Sequence, residues 1–266
     1  MRTSPALQAS DLSDLLLAAL LDFDVAAIDE DARRVYFHTG RDRDAALAAL
    51  PSRFPELTFT ALDVPDEDWA ARSQASLRAI QVGDIVVAPP WDIPPVVSGF
   101  SRTIIIQPSM GFGTGHHATT RLCLSALQSL DLQRKRVLDV GTGSGVLAIA
   151  ASRLGAAAVV AIDDDPDAIE SAAENVQLNE GAQVQLQTVD LRSASLGVFD
   201  VVIANLTGGL LVQAAGALQA LAAGGGTLVL SGFIAHEERD VLSAFAGLTV
   251  GARRAEDEWL CVTLDR

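Results

Sequence analysis

A glycine turn set between a strand and a helix constrains this chain more than any other feature. Val137 to Val140 is a short β-branched run that leads directly into Gly141-Thr142-Gly143-Ser144-Gly145, and apolar positions at helical spacing begin at Val146. Glycines let the backbone turn tightly and approach a ligand closely at a helix N-terminus. The segments beyond the turn give it its meaning. Val159 to Ile162, Val184 to Val189, Val201 to Ala204 and Thr227 to Leu230 are further short apolar runs, separated by helix-like segments at Val146 to Leu154, Pro166 to Leu178, Leu210 to Leu221 and Ala235 to Ala246. Strands that are apolar on both faces and alternate with helices predict an open, mostly parallel α/β sheet covered on both sides. Leu248 to Ala255 and Trp259 to Leu264 come last, without a helix between them, which predicts an antiparallel C-terminal hairpin at the sheet edge.

The first sixty-odd residues read as a small α+β unit. A helix is expected from Leu12 to Leu21, strands at Val25 to Ile28 and Val35 to His38 around the polar turn after Ile28, a helix from Asp44 to Leu50 and a strand from Leu57 to Val64. A turn at Pro65 to Asp68 precedes a connecting helix from Trp69 to Leu77. The expected organisation is therefore an α+β domain over 1–65, a linker helix over 66–80 and the larger α/β domain over 81–266. Asp84 to Ala88 and Thr103 to Gln107 read as strands on either side of a proline-rich stretch.

Charge narrows the partners. With 34 acidic against 19 basic side chains the net charge is −15, so the surface gains nothing from counterion release and direct nucleic-acid binding is not expected. A basic protein partner fits better, although an acidic surface also serves solubility alone. The apolar cluster from Leu15 to Leu21 is too short and too closely bracketed by aspartates to span a bilayer or act as a signal, so a cytoplasmic protein is expected. Cys123 and Cys261 lie in apolar periodic stretches and read as core residues.

The ligand can be narrowed from the turn itself. A dinucleotide fingerprint needs glycine at position 146, where this chain has Val146, and the G-x-G-x-G form suits S-adenosylmethionine, which carries no phosphates. A dinucleotide oxidoreductase is the less favoured alternative. Asp163, about twenty residues on at the end of the next strand, is placed to bind ribose hydroxyls, and Asp190, which ends the third strand, can reach an adenine edge or stand solvated. Asn205 ends the fourth strand at the mouth of the sheet, where a neutral amide can accept a hydrogen bond from an amine without competing with a sulfonium cation; an ordinary turn role is the alternative. No general base is evident. The loop Gly111 to Thr120 reads as flexible and polar, and is expected to be able to fold over a ligand. His116 and His117 are adjacent, so they make a poor metal pair, and no metal is expected. Thr119 or Thr120 can cap the helix that continues through Leu122 to Leu127.

Together, the loop from Phe112 to Thr120, the run from Val137 to Ala151, Ala161 to Pro166, Ala204 to Leu206, Ser231-Gly232 and Glu258-Trp259 resemble the PrmA family, bacterial methyltransferases of the eleventh protein of the large ribosomal subunit. The resemblance covers the chain from about Asp66 onward. It implies a Rossmann-like class I methyltransferase with a seven-stranded sheet, S-adenosylmethionine as cofactor, and methylation of lysine side chains and an N-terminal α-amine on a basic ribosomal protein. It places Thr120, Gly141, Asp163 and Asn205 at cofactor positions, with Phe112, Thr114 and Gly143 beside them, and gives the N-terminal domain the role of recognising the substrate. The family's first strand, ahead of the Leu12 helix, is short or missing in this reading, and the enzyme is expected to be a monomer. The alternatives are a lysine methyltransferase with another protein target and a noncatalytic S-adenosylmethionine-binding docking module.

Overall fold

The computed structural model describes residues 3–12, 16, 19–20, 23, 25–29, 32–65, 77–95, 102–108, 115–191 and 196–266. The chain divides into two compact units, Met1–Ser76 and Leu77–Arg266.

The first unit is a four-stranded antiparallel sheet in the order β2-β3-β1-β4, built from β1 (Thr3–Ala9), β2 (Val25–Asp29), β3 (Arg34–Phe37) and β4 (Phe59–Pro65). Helix α1 (Gly40–Arg53) starts at Thr39, whose side chain accepts a hydrogen bond from the Asp42 amide, and it buries Ala46 and Leu50. Its packing partners include Leu7, Ala9, Val35 and Phe37. The expectation of a short or missing first strand is corrected here. β1 pairs with β4 over its whole length, from Thr3↔Pro65 to Ala9↔Phe59, and with β3 from Ala6 to Gln8. Pro5 disguises it in the sequence, and the fold tolerates Pro5 because, among the described residues, that end of β1 has a neighbour on one side only. The helix expected from Leu12 lies partly outside the described residues; Leu16, Ala19 and Leu20 are helical and buried.

Residues 66–76, where the sequence places most of the connecting helix, lie outside the described residues, and Leu77 to Ala79 carry no helix. The second unit opens with a three-stranded sheet of β5 (Ile80–Val82), β6 (Ile85–Ala88) and β7 (Arg102–Ile105). The main sheet has seven strands in the order β10-β9-β8-β11-β12-β14-β13: β8 (Arg136–Val140), β9 (Ala158–Asp163), β10 (Gln185–Thr188), β11 (Phe199–Asn205), β12 (Ala222–Ile234), β13 (Thr249–Glu256) and β14 (Trp259–Asp265). The five strands from β8 to β12 run parallel, and β14 joins β12 antiparallel, as expected for the C-terminal hairpin.

Helices cover both faces, as strands buried on both sides require. On one side α2 (Ala118–Gln128) and α3 (Val146–Arg153) pack Leu122, Leu124, Ile149 and Ala150 against Val137, Val159, Ile203 and Val229. On the other, α5 (Gly208–Leu221) and α6 (Glu238–Ala244) bring Leu211, Leu218 and Val241 onto Leu138, Val202, Leu228 and Val262. Helix α4 (Pro166–Leu178) begins at Asp165, whose side chain accepts from the Asp167 amide, with Pro166 in the first turn. The single helix expected from Ala235 to Ala246 is instead a 3-10 turn, Ala235–Glu237, followed by the short α6. Cys123 and Cys261 are buried and free. Contact with the Cys261 thiol, together with burial, holds the Cys123 thiol well above its ordinary range. Among the described residues no helix is long and apolar enough to cross a membrane.

Candidate active site

The order β10-β9-β8-β11 reverses the direction of strand addition at β8, and a crevice forms beyond the carboxyl ends at such a switch point. β8 delivers the chain into the glycine turn there. The Gly141 and Thr142 amides both donate to the Ile162 carbonyl, at 2.9 and 3.0 Å, which locks the turn onto the end of β9. Gly141 has φ +68°, a conformation side chains rarely adopt, and a Cβ on it would also press on the Leu206 side chain at 2.5 Å, so another residue here is strained. Beneath the turn lies the fully buried Asp139. It accepts from the Thr142 hydroxyl at 2.7 Å and from the Ala148 amide at 3.1 Å, and burial pushes its pKa up to about 6.

Asp163, the last residue of β9, faces the same crevice. Its Oδ2 accepts from the Gly143 amide at 3.0 Å and its Oδ1 from the Asp165 amide at 3.2 Å, so the carboxylate is fixed at the rim. Asn205 is the last residue of β11, at the strand end where the sequence places it, and its Oδ1 is a buried atom with no hydrogen-bond partner. Thr120 is buried in the first turn of α2, and its Oγ1 is also buried and unpartnered. Buried polar atoms are nearly always satisfied, so two unpaired oxygens facing one cavity mark a place that a polar ligand completes.

That cavity has a volume of about 690 Å³, and its walls include Thr120, Gly141, Gly143, Asp163 and Asn205. The structure therefore brings together five of the residues selected from the sequence. A smaller apolar recess of about 210 Å³ adjoins it, sharing Gly141 and Asp163 and adding Val140, Ile162, Leu191 and Asp190. Asp190 lies two residues beyond the end of β10 rather than on it. Phe112 and Thr114 lie outside the described residues.

The sequence reading missed one wall of the cleft. His117 and Trp259 both line it, with ring centroids 4.7 Å apart and planes at 69°, an edge-to-face contact. Burial, and then the Arg121 charge, lower the His117 pKa, which favours a neutral ring. His117 also replaces Thr119 and Thr120 as the cap of α2: its side chain accepts from the Thr119 amide, which leaves Thr120 free to face the cavity. The signal was present in Glu258-Trp259, but no periodicity assigns a strand-edge tryptophan to a site 142 residues away from its partner. Among the described residues no three His, Cys, Asp or Glu side chains cluster as a metal site.

Comparison with known proteins points the same way. Residues 24–266 match the sequence model of a family described as ribosomal protein L11 methyltransferase (PrmA). A ribosomal protein L11 methyltransferase of Geobacter sulfurreducens is 44% identical, the similarity covering 83% of this chain and 72% of that protein. The protein of the same name from Pelobacter propionicus is 35% identical over 97% of this chain and 94% of its own length. Among solved structures, the ribosomal protein L11 methylase of Lactobacillus delbrueckii subsp. bulgaricus superposes with a TM-score of 0.67 at 28% identity, covering 71% of this chain and 99% of that one.

Proposed function

The chain belongs to the ribosomal protein L11 methyltransferase family, and from that premise we infer that it is an S-adenosylmethionine-dependent protein methyltransferase that modifies ribosomal protein L11. Its targets are lysine side chains and the N-terminal α-amine of that protein. The observation that carries the reading is the pair of unsatisfied buried oxygens, Thr120 Oγ1 and Asn205 Oδ1, in the cavity that also holds Gly141 and Asp163.

These residues suit the cofactor. Asp163 is positioned for ribose hydroxyls and Gly141 allows close backbone approach. The apolar recess beside Asp190 suits a flat base, and Thr120 offers a hydroxyl to the polar end of the ligand. When bound, S-adenosylmethionine supplies a methyl group activated by its sulfonium charge.

The remaining work falls to the chain itself. An amine attacks only as the neutral species, with its lone pair aimed along the line of displacement. Asn205 Oδ1 accepts one N–H and so turns the lone pair away from itself; being uncharged, it favours the ammonium form less than a carboxylate would. The His117 and Trp259 rings exclude water from that side of the cleft. Orientation of this kind supplies much of the acceleration in a simple displacement.

We assign recognition of the protein substrate to the small domain over 1–65, joined through 66–80 to the methyltransferase domain over 81–266. The net charge of −15 supports a basic protein partner over direct nucleic-acid binding. The enzyme is taken to work as a monomer in the cytoplasm.

Transfer of labelled methyl groups to purified ribosomal protein L11, read by mass spectrometry, tests the reading. Wild-type enzyme should methylate it, and Asn205→Ala should lower kcat by roughly 100-fold. Donor binding without transfer to L11 or to any ribosomal fraction would favour a docking module, and transfer to a different protein would reassign the substrate.

A further inference from the structure

The wall formed by His117 and Trp259 is held from behind by one side chain. Arg121 lies on α2 one turn after His117. Its Nε and Nη2 donate to Glu256 Oε1 at 2.8 and 2.5 Å, and its Nη1 donates to the His116 carbonyl. Glu256 ends β13 and pairs with Trp259, the first residue of β14. A single guanidinium thus ties the backbone just before one ring to the hairpin that carries the other.

Arg121 is not among the residues lining the cleft. Its ion pair is partly exposed, with side-chain exposures of 27% for Arg121 and 37% for Glu256, so it contributes little to stability. What a guanidinium fork provides is orientation, because its donors are fixed in one plane. The wall it orients stands on the Asn205 side of the site. Asn205 pairs with Ser231, and Ser231 pairs with Cys261, two residues from Trp259; Asp163 and the glycine turn lie across the sheet toward β9.

We propose that Arg121, acting with Glu256, is a positioning residue for methyl transfer that sets the His117–Trp259 wall against the acceptor amine and leaves donor binding unaffected. The proposal rests on the methyltransferase reading above and adds to it a residue that touches neither ligand.

Three variants test it: Arg121→Met, Arg121→Lys and Glu256→Gln. Arg121→Met should lower kcat for methylation of ribosomal protein L11 about 10-fold, since small misplacements of reacting groups carry such losses. The Kd for S-adenosylhomocysteine, by calorimetry, should move by less than about twofold. Arg121→Lys keeps the charge without the fork and should stay well below wild type, and Glu256→Gln should fall between. A folded Arg121→Met enzyme with near wild-type kcat, full rescue by lysine, or loss of donor affinity in step with kcat would each overturn the proposal. If wild type itself fails to methylate the protein, the functional reading fails, and the clamp is read separately. With Trp69 and Trp91 replaced by phenylalanine, Arg121→Met should red-shift Trp259 emission and increase its quenching by acrylamide, and unchanged emission would refute the clamp.

Discussion

The carboxylate of Asp139 sits 2.7 Å from the hydroxyl of Thr142, in full burial beneath the turn that Thr142 belongs to. Burial raises the pKa of Asp139 from an ordinary 3.8 to about 6, against the opposing effect of its hydrogen bonds from Thr142 and Ala148. The folded state therefore holds this proton more tightly than the unfolded chain does. The resulting stabilisation is complete below pH 3.8 and is lost as pH rises through about 6. The shift corresponds to about 3 kcal/mol. Asp139→Asn keeps an acceptor for the Ala148 amide without the charge, so its stability relative to wild type should improve across that window and level off above pH 6. Denaturant titrations from pH 4 to 8 measure the difference, and a pH-independent gap would refute the assignment.

Gly232 follows β12's pairing with Asn205, at φ +94°, and a Cβ there would meet the Leu206 carbonyl oxygen at 2.2 Å. Gly232→Ala combines left-handed strain with a backbone clash, and should cost at least about 2 kcal/mol while displacing Asn205. Gly225 has φ +77° but open space around it. Gly225→Ala isolates the strain and should cost only about 1 kcal/mol, with activity retained. Urea midpoints and kcat of the two variants make the comparison.

Asn175 is fully buried on α4 and bridges two distant backbone groups: its Oδ1 accepts from the Gln107 amide at 2.7 Å and its Nδ2 donates to the Ser144 carbonyl at 2.9 Å. Asn175→Ala strands both, which should cost about 2–4 kcal/mol. Asn175→Asp can still accept from Gln107 but turns an acceptor toward the Ser144 carbonyl, so at neutral pH it should be no better than alanine. Chemical denaturation of both variants checks the order.

Thr120→Val replaces an unpartnered hydroxyl by a methyl of similar size. Stability should hold or rise slightly, because no internal hydrogen bond is lost, whereas affinity for S-adenosylmethionine should fall about 10-fold. Calorimetry together with a thermal melt separates the two effects. Equal affinity would remove Thr120 from the cofactor site.

The sequence exposes this fold best where a local rule and the tertiary structure agree. Val137 to Val146 is one case: a β-branched run, glycines and then a helical period all belong to a single strand–turn–helix. Asp163 and Asn205 were legible because a strand end in a parallel sheet is a defined place. Features set by distant partners were not legible. β12 runs through the glycines from Gly224 to Gly226, a poor strand by composition, because Phe199 pairs with Ala222 and Arg266 exchanges backbone hydrogen bonds with Gly225 and Gly226. Likewise, β6 and β7 read as strands, but β5 and the pairing of all three around a proline-rich stretch come only with the fold.

The walls of the cleft come from positions as far apart as His117 and Trp259. No contiguous stretch of chain encloses it, so it closes only when the whole parallel sheet and its antiparallel edge have formed, and contacts of such long sequence separation are slow to assemble. Donor binding should therefore report on global folding: during refolding it should appear with the last kinetic phase, and no fragment that stops before the terminal hairpin should acquire it.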